Sequence, residues 1–313
     1  MERYVQAINS ITNEVKKVVI GKDEIVDKVM MAILAGGHIL IDDIPGVGKT
    51  TLAMAFSKVM GLKQNRVQFT PDVMPTDITG FSMYNNKTGE FEYKSGAVMC
   101  NLLLADEINR TSSKTQSALL EVMEERHVSV DGKVYDVPSP FTVIATQNPV
   151  GSVGTQLLPE SQLDRFAICI SMGYPNIKEE VMLIKNRQNK QPMNDINQTI
   201  RSEDLLTLQM ITKQIYVSDE VLTYIATLAD RTRKHPFVEL GISPRGSLML
   251  TNMAKACAFL HGRKYVTPKD VQEIFKDVVG HRLILNSKAK LNDATIDNVI
   301  IYILQSVAVP KIA

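Results

Sequence analysis

The segment Asp42-Asp43-Ile44-Pro45-Gly46-Val47-Gly48-Lys49-Thr50-Thr51 follows an apolar triplet, Ile39-Leu40-Ile41, and runs into a stretch of helical character. A strand, a small-residue loop and a helix start make a phosphate cradle. Backbone N–H groups must converge on oxygen without side chains in the way, and Gly46 and Gly48 permit that. The helix N-terminus adds the positive end of its dipole. In this pattern Lys49 reaches the β- and γ-phosphates and the Thr50 hydroxyl ligates Mg²⁺, with Pro45, Val47 and Thr51 completing the loop. The general pattern begins with glycine, and here that position is Asp43.

A second segment, Leu102-Leu103-Leu104-Ala105-Asp106-Glu107, reads as a buried strand ending in two acids. That places the carboxylates at the carboxyl end of a sheet, where ligands bind in open α/β folds. Asp106 is then expected to hold Mg²⁺ through its water shell, and Glu107 to orient and polarise an attacking water. A third strand, Phe141 to Ala145, leads into Thr146-Gln147-Asn148-Pro149. Asn148 can position the lytic water or touch the γ-phosphate, although Asn before Pro is also a plain turn former. A Lys-Thr loop, an Asp-Glu pair and an Asn at three strand ends together specify triphosphate hydrolysis.

These groups need a scaffold that brings strand ends together. Helix is expected over residues 24–36, strand over 38–41, helix over 49–60, and strands over 67–69, 101–105 and 142–145. Alternating strands and helices indicate a parallel sheet covered on both faces. After Tyr174-Pro175 helical periodicity takes over, with helices expected at 177–188, 202–213, 219–234, 245–261 and 268–279, and caps at Ser202, Ser218 and Thr267. The expected architecture is an α/β nucleotide-binding core over residues 1–174 and a small all-helical lid over 175–313. Residues 189–197 read as a loop inside the lid. Two β-hairpins are expected within the core, one pairing Gly80–Tyr84 with Glu90–Tyr93, the other pairing residues 127–130 with 133–137 around Asp131-Gly132.

Composition narrows the partners. An apolar share of 44% with 22% charged residues suits a packed globular chain. Lys plus Arg total 35 against 34 Asp plus Glu, which argues against a bulk binder of nucleic acid or membrane surfaces. No apolar run approaches the ~20 residues of a membrane helix. Met1-Glu2-Arg3-Tyr4 does not open a signal peptide, so a cytoplasmic protein without membrane insertion is expected. Cys100, Cys169 and Cys257 are isolated and read as buried thiols in a reducing compartment. The five histidines show no metal-ligand spacing, and the methionines read as core filling.

With these motifs in order, the chain resembles AAA+ ATPases, and within them the MoxR family. Residues 43–53 resemble that family's phosphate loop, including the acid where others have glycine. Asp106-Glu107-Ile108-Asn109-Arg110 with residues 114–121 resembles its acidic strand end and following helix, and Ala145–Pro149 its polar sensor strand. Gly154-Thr155 through Leu158-Pro159-Glu160 to Leu163-Asp164-Arg165-Phe166 resembles a stretch ending in an arginine finger, and Gly241-Ile242-Ser243-Pro244-Arg245 a second sensor. The resemblance implies ATP and Mg²⁺ as cofactors. It also implies a homo-oligomeric ring, expected to be a hexamer, in which Arg165 acts in trans on a neighbour's γ-phosphate; a structural ion pair with Asp164 or Glu160 is the other reading of Arg165. Arg245 acts in cis in most relatives and across the interface in others. Val19-Ile20-Gly21 resembles the adenine-side segment, with Gly21 allowing close approach, or is a simple apolar contact. The hairpins occupy the insertion places of the clade that includes MCM helicases, where they face a pore or a client, or else they are ordinary surface ribbons.

The expected function is a chaperone-like remodelling or maturation ATPase. Its client would be a protein, with a von Willebrand factor A domain partner implied by resemblance alone. The alternatives are a nucleic-acid translocase or helicase loader, disfavoured by the charge balance, and a nucleotide-gated regulator that hydrolyses little.

Overall fold

The computed structural model describes residues 1–148, 158–188 and 192–311. Two helices come first, α1 (Glu2–Lys16) and α2 (Asp23–Leu34). The α/β part follows: β1 (Ile39–Asp42), α3 (Lys49–Val59), β2 (Gln64–Gln68), α4 (Pro75–Thr79), β3 (Gly80–Asn85), β4 (Glu90–Ser95), β5 (Leu102–Asp106), α5 (Ser113–Glu125), β6 (His127–Val130), β7 (Lys133–Asp136), β8 (Thr142–Gln147), α6 (Glu160–Leu163) and β9 (Ile168–Ile170). The remainder is mostly helical: α7 (Ile177–Gln188), α8 (Ser202–Lys213), α9 (Asp219–Lys234), β10 (Val238–Leu240), α10 (Pro244–Leu260), α11 (Pro268–Val279), β11 (Ile284–Leu285), α12 (Ser287–Leu291) and α13 (Ile296–Ser306).

Five parallel strands form one sheet in the order β2-β5-β8-β1-β9. β5 is buried at every position and β8 at all but its last, which is why both read as continuous apolar runs. β2 is an edge strand, and four of its five residues are polar. That hid it: only residues 67–69 read as strand, whereas pairing runs from Gln64 to Gln68. β9 was likewise not legible, since three residues beside β1 are too short for a pattern.

One apolar cluster packs α1, α2 and α3 with the lid helices against one sheet face; a second covers the other face with α5 and the hairpins. Both hairpins lie where expected, β3–β4 between α4 and β5, β6–β7 between α5 and β8. Asp131 (φ 50°) and Gly132 (φ 74°) make the left-handed turn that a two-residue hairpin needs. Tyr93 and Tyr135 stack with centroids 4.0 Å apart, tying the two ribbons together.

The lid helices match their expected spans closely. Ser218 and Thr267 cap α9 and α11; at α8 the cap is Arg201, whose N–H donates to Asp204, so Ser202 is the first helical residue. The lid also carries a short antiparallel ribbon, β10–β11, so it is helical but not wholly so. Among the described residues no helix is long and apolar enough to cross a membrane. Cys100 and Cys257 are buried and Cys169 half-buried, all three as free thiols.

Candidate functional site

β1 delivers the chain into the phosphate loop and α3 leaves it. Gly46 (φ 87°) and Gly48 (φ 100°) hold the left-handed backbone that the loop requires, and Gly48 is the N-cap of α3. Lys49 is only 7% exposed, and its Nζ donates to the Asp43 carbonyl oxygen at 2.6 Å. Burial lowers its pKa, opposed by the carboxylates of Asp43, Asp106, Asp42 and Glu107.

At the carboxyl end of β5, Asp106 Oδ1 accepts from Thr146 Oγ1 at 2.6 Å and Oδ2 from Arg66 at 2.8 Å. The same Thr146 oxygen accepts from Glu107 N at 2.9 Å, so one hydroxyl from β8 fixes both acids. Glu107 sits at φ 56°, an uncommon left-handed conformation for a residue with a side chain. Its carboxylate pairs with Arg110 at 2.7 Å; that bond is the main cause holding its pKa below the usual range, against burial and helped by neighbouring Asn148. Asn109 clamps the backbone of Asn148 from both sides, its Oδ1 accepting from Asn148 N (3.3 Å) and its Nδ2 donating to Asn148 O (3.1 Å). Asn148 Oδ1 is buried and has no hydrogen-bond partner among the described residues. A fixed but orphaned polar atom at the cleft is suited to a bound ligand or water.

Two adjoining cavities share Pro45, Gly46, Gly48 and Thr51. The polar one, about 360 Å³, is lined also by Lys49, Thr50, Asp106, Glu107 and Asn148, together with Arg66 and Gln68. It gathers the hydroxyl and carboxylate oxygens that Mg²⁺ takes, in the chemistry expected of Thr50 and Asp106. The apolar one, about 590 Å³, is lined by Val19, Ile20, Val47, Met172, Tyr174, Leu183 and Ile184. Gly21 does not line it; a Cβ there would strike the Glu179 side chain, so the bareness of Gly21 makes room for Glu179. Arg66, Thr146, Asn109 and Tyr174 were not singled out from sequence. Their roles arise from neighbouring strands and linkers, and no spacing records that.

Arg165 and Arg245 stand elsewhere. Arg165 precedes β9, Glu124 lies in the last turn of α5, and His38 precedes β1, all at the amino ends of the strands. Glu124 accepts from Arg165 Nε at 3.0 Å and pairs with Arg245 at 2.9 Å. The two arginines therefore form one cluster at the amino edge, while Lys49 and Asp106 occupy the carboxyl edge. At ~3.3 Å per residue, strands of this length separate those edges by roughly 13–20 Å. Arg165 does not pair with Asp164 or Glu160. Asp164 is taken by lid groups, Arg282 Nε at 2.7 Å and Ser243 Oγ at 2.8 Å. Pro149, Gly154 and Thr155 lie outside the described residues.

One further group, Cys257, His261 and Glu273, brings ligand-type atoms within 4.8 Å of one another. The Cys257 thiol is buried and pushed up by that burial, and neighbouring Asp270 is engaged by Arg263.

Comparison with known proteins matches this geometry. The model of the ATPase family associated with various cellular activities (AAA) matches residues 38–168, and the AAA lid domain model matches residues 230–300. The chain is 45% identical to the Bacillus subtilis protein YeaC, over 95% of this chain and 92% of that one. It is 41% identical to a protein of Mycobacterium tuberculosis named chaperone MoxR1, over 96% of this chain and 81% of that one. A solved structure of a candidate ATPase from Cytophaga hutchinsonii superposes with a TM-score of 0.90 at 35% identity, covering 99% of this chain and 96% of that one. Phosphate loop, acidic strand end, parallel sheet and helical lid thus agree with ancestry: the chain belongs to the MoxR family of AAA+ ATPases and hydrolyses ATP.

Proposed function

We propose that this ATPase is a ring-forming, chaperone-like remodelling machine whose hydrolysis site is completed by a second copy of the chain. The observation that carries this reading is the division of the charged groups. Lys49, Thr50, Asp106, Glu107 and Asn148 face one cleft, whereas Arg165 and Arg245 are clustered a strand-length away. Hydrolysis of a triphosphate gains from a fixed guanidinium on the γ-phosphate, and neither arginine is near its own. In a head-to-tail ring the amino edge of one subunit meets the carboxyl edge of the next. That arrangement favours action in trans for both arginines; a hexamer is the assembly proposed.

The residues divide the work as follows. Lys49 exchanges its Asp43 carbonyl for phosphate oxygens. Thr50 and Asp106 would hold Mg²⁺, which would supply positive charge against the phosphates when bound. Glu107 takes the proton of the attacking water as oxygen bonds to the γ-phosphorus and the bond to the ADP oxygen breaks, and Asn148 holds that water or the γ-phosphate. Val19 and Ile20 pack the base. The boundary between core and lid is assigned to Tyr174-Pro175.

A protein client suits the first hairpin better than a nucleic acid does: Phe81, Met83, Tyr84 and Phe91 are exposed there, Phe91 at 69%. Apolar side chains grip unfolded protein, whereas a phosphate backbone calls for clustered cations. The name of the mycobacterial relative supports the chaperone class, and the family resemblance supports a partner with a von Willebrand factor A domain. Glu107→Gln is expected to bind ATP and to lose turnover by about 10²–10⁴-fold, the contribution of a positioned base; Lys49→Ala is expected to lose binding as well. Equilibrium nucleotide titration and phosphate release separate the two, and full turnover by Glu107→Gln would remove that residue from the chemistry.

A further inference from the structure

Asp43, where phosphate loops generally have glycine, spends its carboxylate entirely inside the protein. Oδ1 accepts from Ile44 N at 2.8 Å. Oδ2 accepts from Ser171 Oγ at 3.0 Å, Met172 N at 2.5 Å and Gly173 N at 2.6 Å. Residues 171–173 open the connection from β9 to α7, the passage from core to lid. Gly173 adopts φ 60°, which turns its N–H toward the oxygen already met by the preceding N–H; successive amides of this kind form an anion-binding nest. Burial opposes the charge, but the amides of Gly173, Ile44 and Met172 and the Ser171 hydroxyl outweigh it and hold the pKa below the ordinary aspartate value. Asp43 is thus an ion at pH 7, bonded to four donors, three of them on the linker.

The backbone of the same residue touches the lysine of the phosphate loop. Its carbonyl oxygen holds the Lys49 ammonium, and Lys49 must leave that oxygen to meet phosphate. The linker is itself a wall of the apolar cavity, through Met172 and Tyr174, and α7 contributes Leu183 and Ile184. Phosphate loop, linker and α7 are therefore joined through one side chain.

We propose that Asp43 is a positioning residue that couples occupancy of the phosphate loop to the linker and to α7, so that hydrolysis and movement at the lid entrance are tied together. The proposal rests on the reading that nucleotide occupies this loop, which Lys49→Ala tests by itself: retained ATP binding there would fault the site, whatever Asp43 does.

The test is Asp43→Gly, which restores the general loop pattern and removes the tether. ATP affinity is expected to stay within about threefold while kcat falls by about tenfold or more, a loss confined to steps after binding. Hydrogen exchange over residues 171–186 is compared between protein loaded with ADP and with a non-hydrolysable ATP analogue. The difference between the two states should be present in the wild type and absent in Asp43→Gly. A merely structural tether would raise exchange equally in both states and leave the difference intact. Asp43→Asn can place its amide oxygen at the Oδ2 position and keep three of the four bonds, so it should recover most of the turnover. Should the glycine variant not fold, Ser171→Ala removes one bond and is expected to lower kcat by about two- to threefold at unchanged affinity. The proposal is overturned if Asp43→Gly keeps full turnover, if its ATP affinity falls in step with kcat, or if the exchange difference persists; in the fallback, unchanged kcat for Ser171→Ala overturns it.

Discussion

Thr146 serves both acids through a single fully buried oxygen, donating to Asp106 Oδ1 and accepting from Glu107 N. Its loss would leave a buried carboxylate oxygen and a buried amide without partners, each a costly state. It would also free the left-handed backbone at Glu107 that aims the carboxylate. Thr146→Val, nearly equal in shape, is expected to lower stability by about 1–3 kcal/mol and kcat by about tenfold or more. Thr146→Ser should keep both near wild type. Urea unfolding and steady-state hydrolysis measure the two effects, and a Val variant of normal activity would show that Thr146 is a packing residue only. Lys49, Asp106, Glu107 and Asn148 were legible because their types recur at fixed places around strand ends. Thr146 and Arg66 were not, because each acts across a sheet register that sequence separation conceals: Arg66 reaches Asp106 from the adjacent edge strand, 40 residues away.

Elements are tied to one another in this chain by buried polar side chains, and His38 is the plainest case. Nδ1 accepts from Val143 N at 2.9 Å, which requires it to be unprotonated, so Nε2 is the donor to Met123 O at 3.1 Å. The ring thereby pins the start of β1 to β8 and to the end of α5. Protonation would set two N–H groups against each other in a buried site. Burial first, then the Arg126 charge, pushes the pKa from 6.5 down to about 3, with Arg245 adding to the shift and the Met123 bond opposing it. Between those values the unfolded chain binds the extra proton, so stability rises with pH across the window. It is fully kept above about 6.5 and is lost as the pH falls toward 3, by about 1.4 kcal/mol per unit. His38→Gln, which can accept and donate at the same places, should flatten this dependence; an equal fall in stability from pH 7 to pH 5 in variant and wild type, by urea unfolding, would contradict it. From sequence His38 shows only that it lacks metal-ligand spacing, and this role is not visible there. The long lid helices and the interior strands were legible from periodicity and apolar runs. α1 and α13 were not singled out, and neither were β9 and the β10–β11 ribbon; three- and two-residue strands carry too little pattern to be read.

At the scale of the whole molecule the question is whether one chain suffices. Glu124 gathers Arg165 and Arg245 at the amino edge of the sheet, and Asp164, beside Arg165, is pinned to the lid by Arg282 and Ser243. The arginines are therefore held by groups of their own subunit, sharing Glu124 at the sheet edge opposite the phosphate loop. Three outcomes follow for turnover. Specific activity should rise with protein concentration as copies assemble. Arg165→Ala should bind ATP normally but lose about 10³-fold or more in kcat, the scale of a guanidinium supplied in trans. Mixing decides the matter: Lys49→Ala chains have an empty phosphate loop but an intact Arg165, and Arg165→Ala chains have the reverse. Each alone should be nearly inactive, while a mixture should recover activity wherever an intact Arg165 borders an intact loop. The same mixing with Arg245→Ala assigns that residue separately, since recovery requires action on a neighbour and its failure would mean action within the chain. If neither mixture recovers and activity is independent of concentration, the site is complete in a single copy and the ring is not needed for hydrolysis.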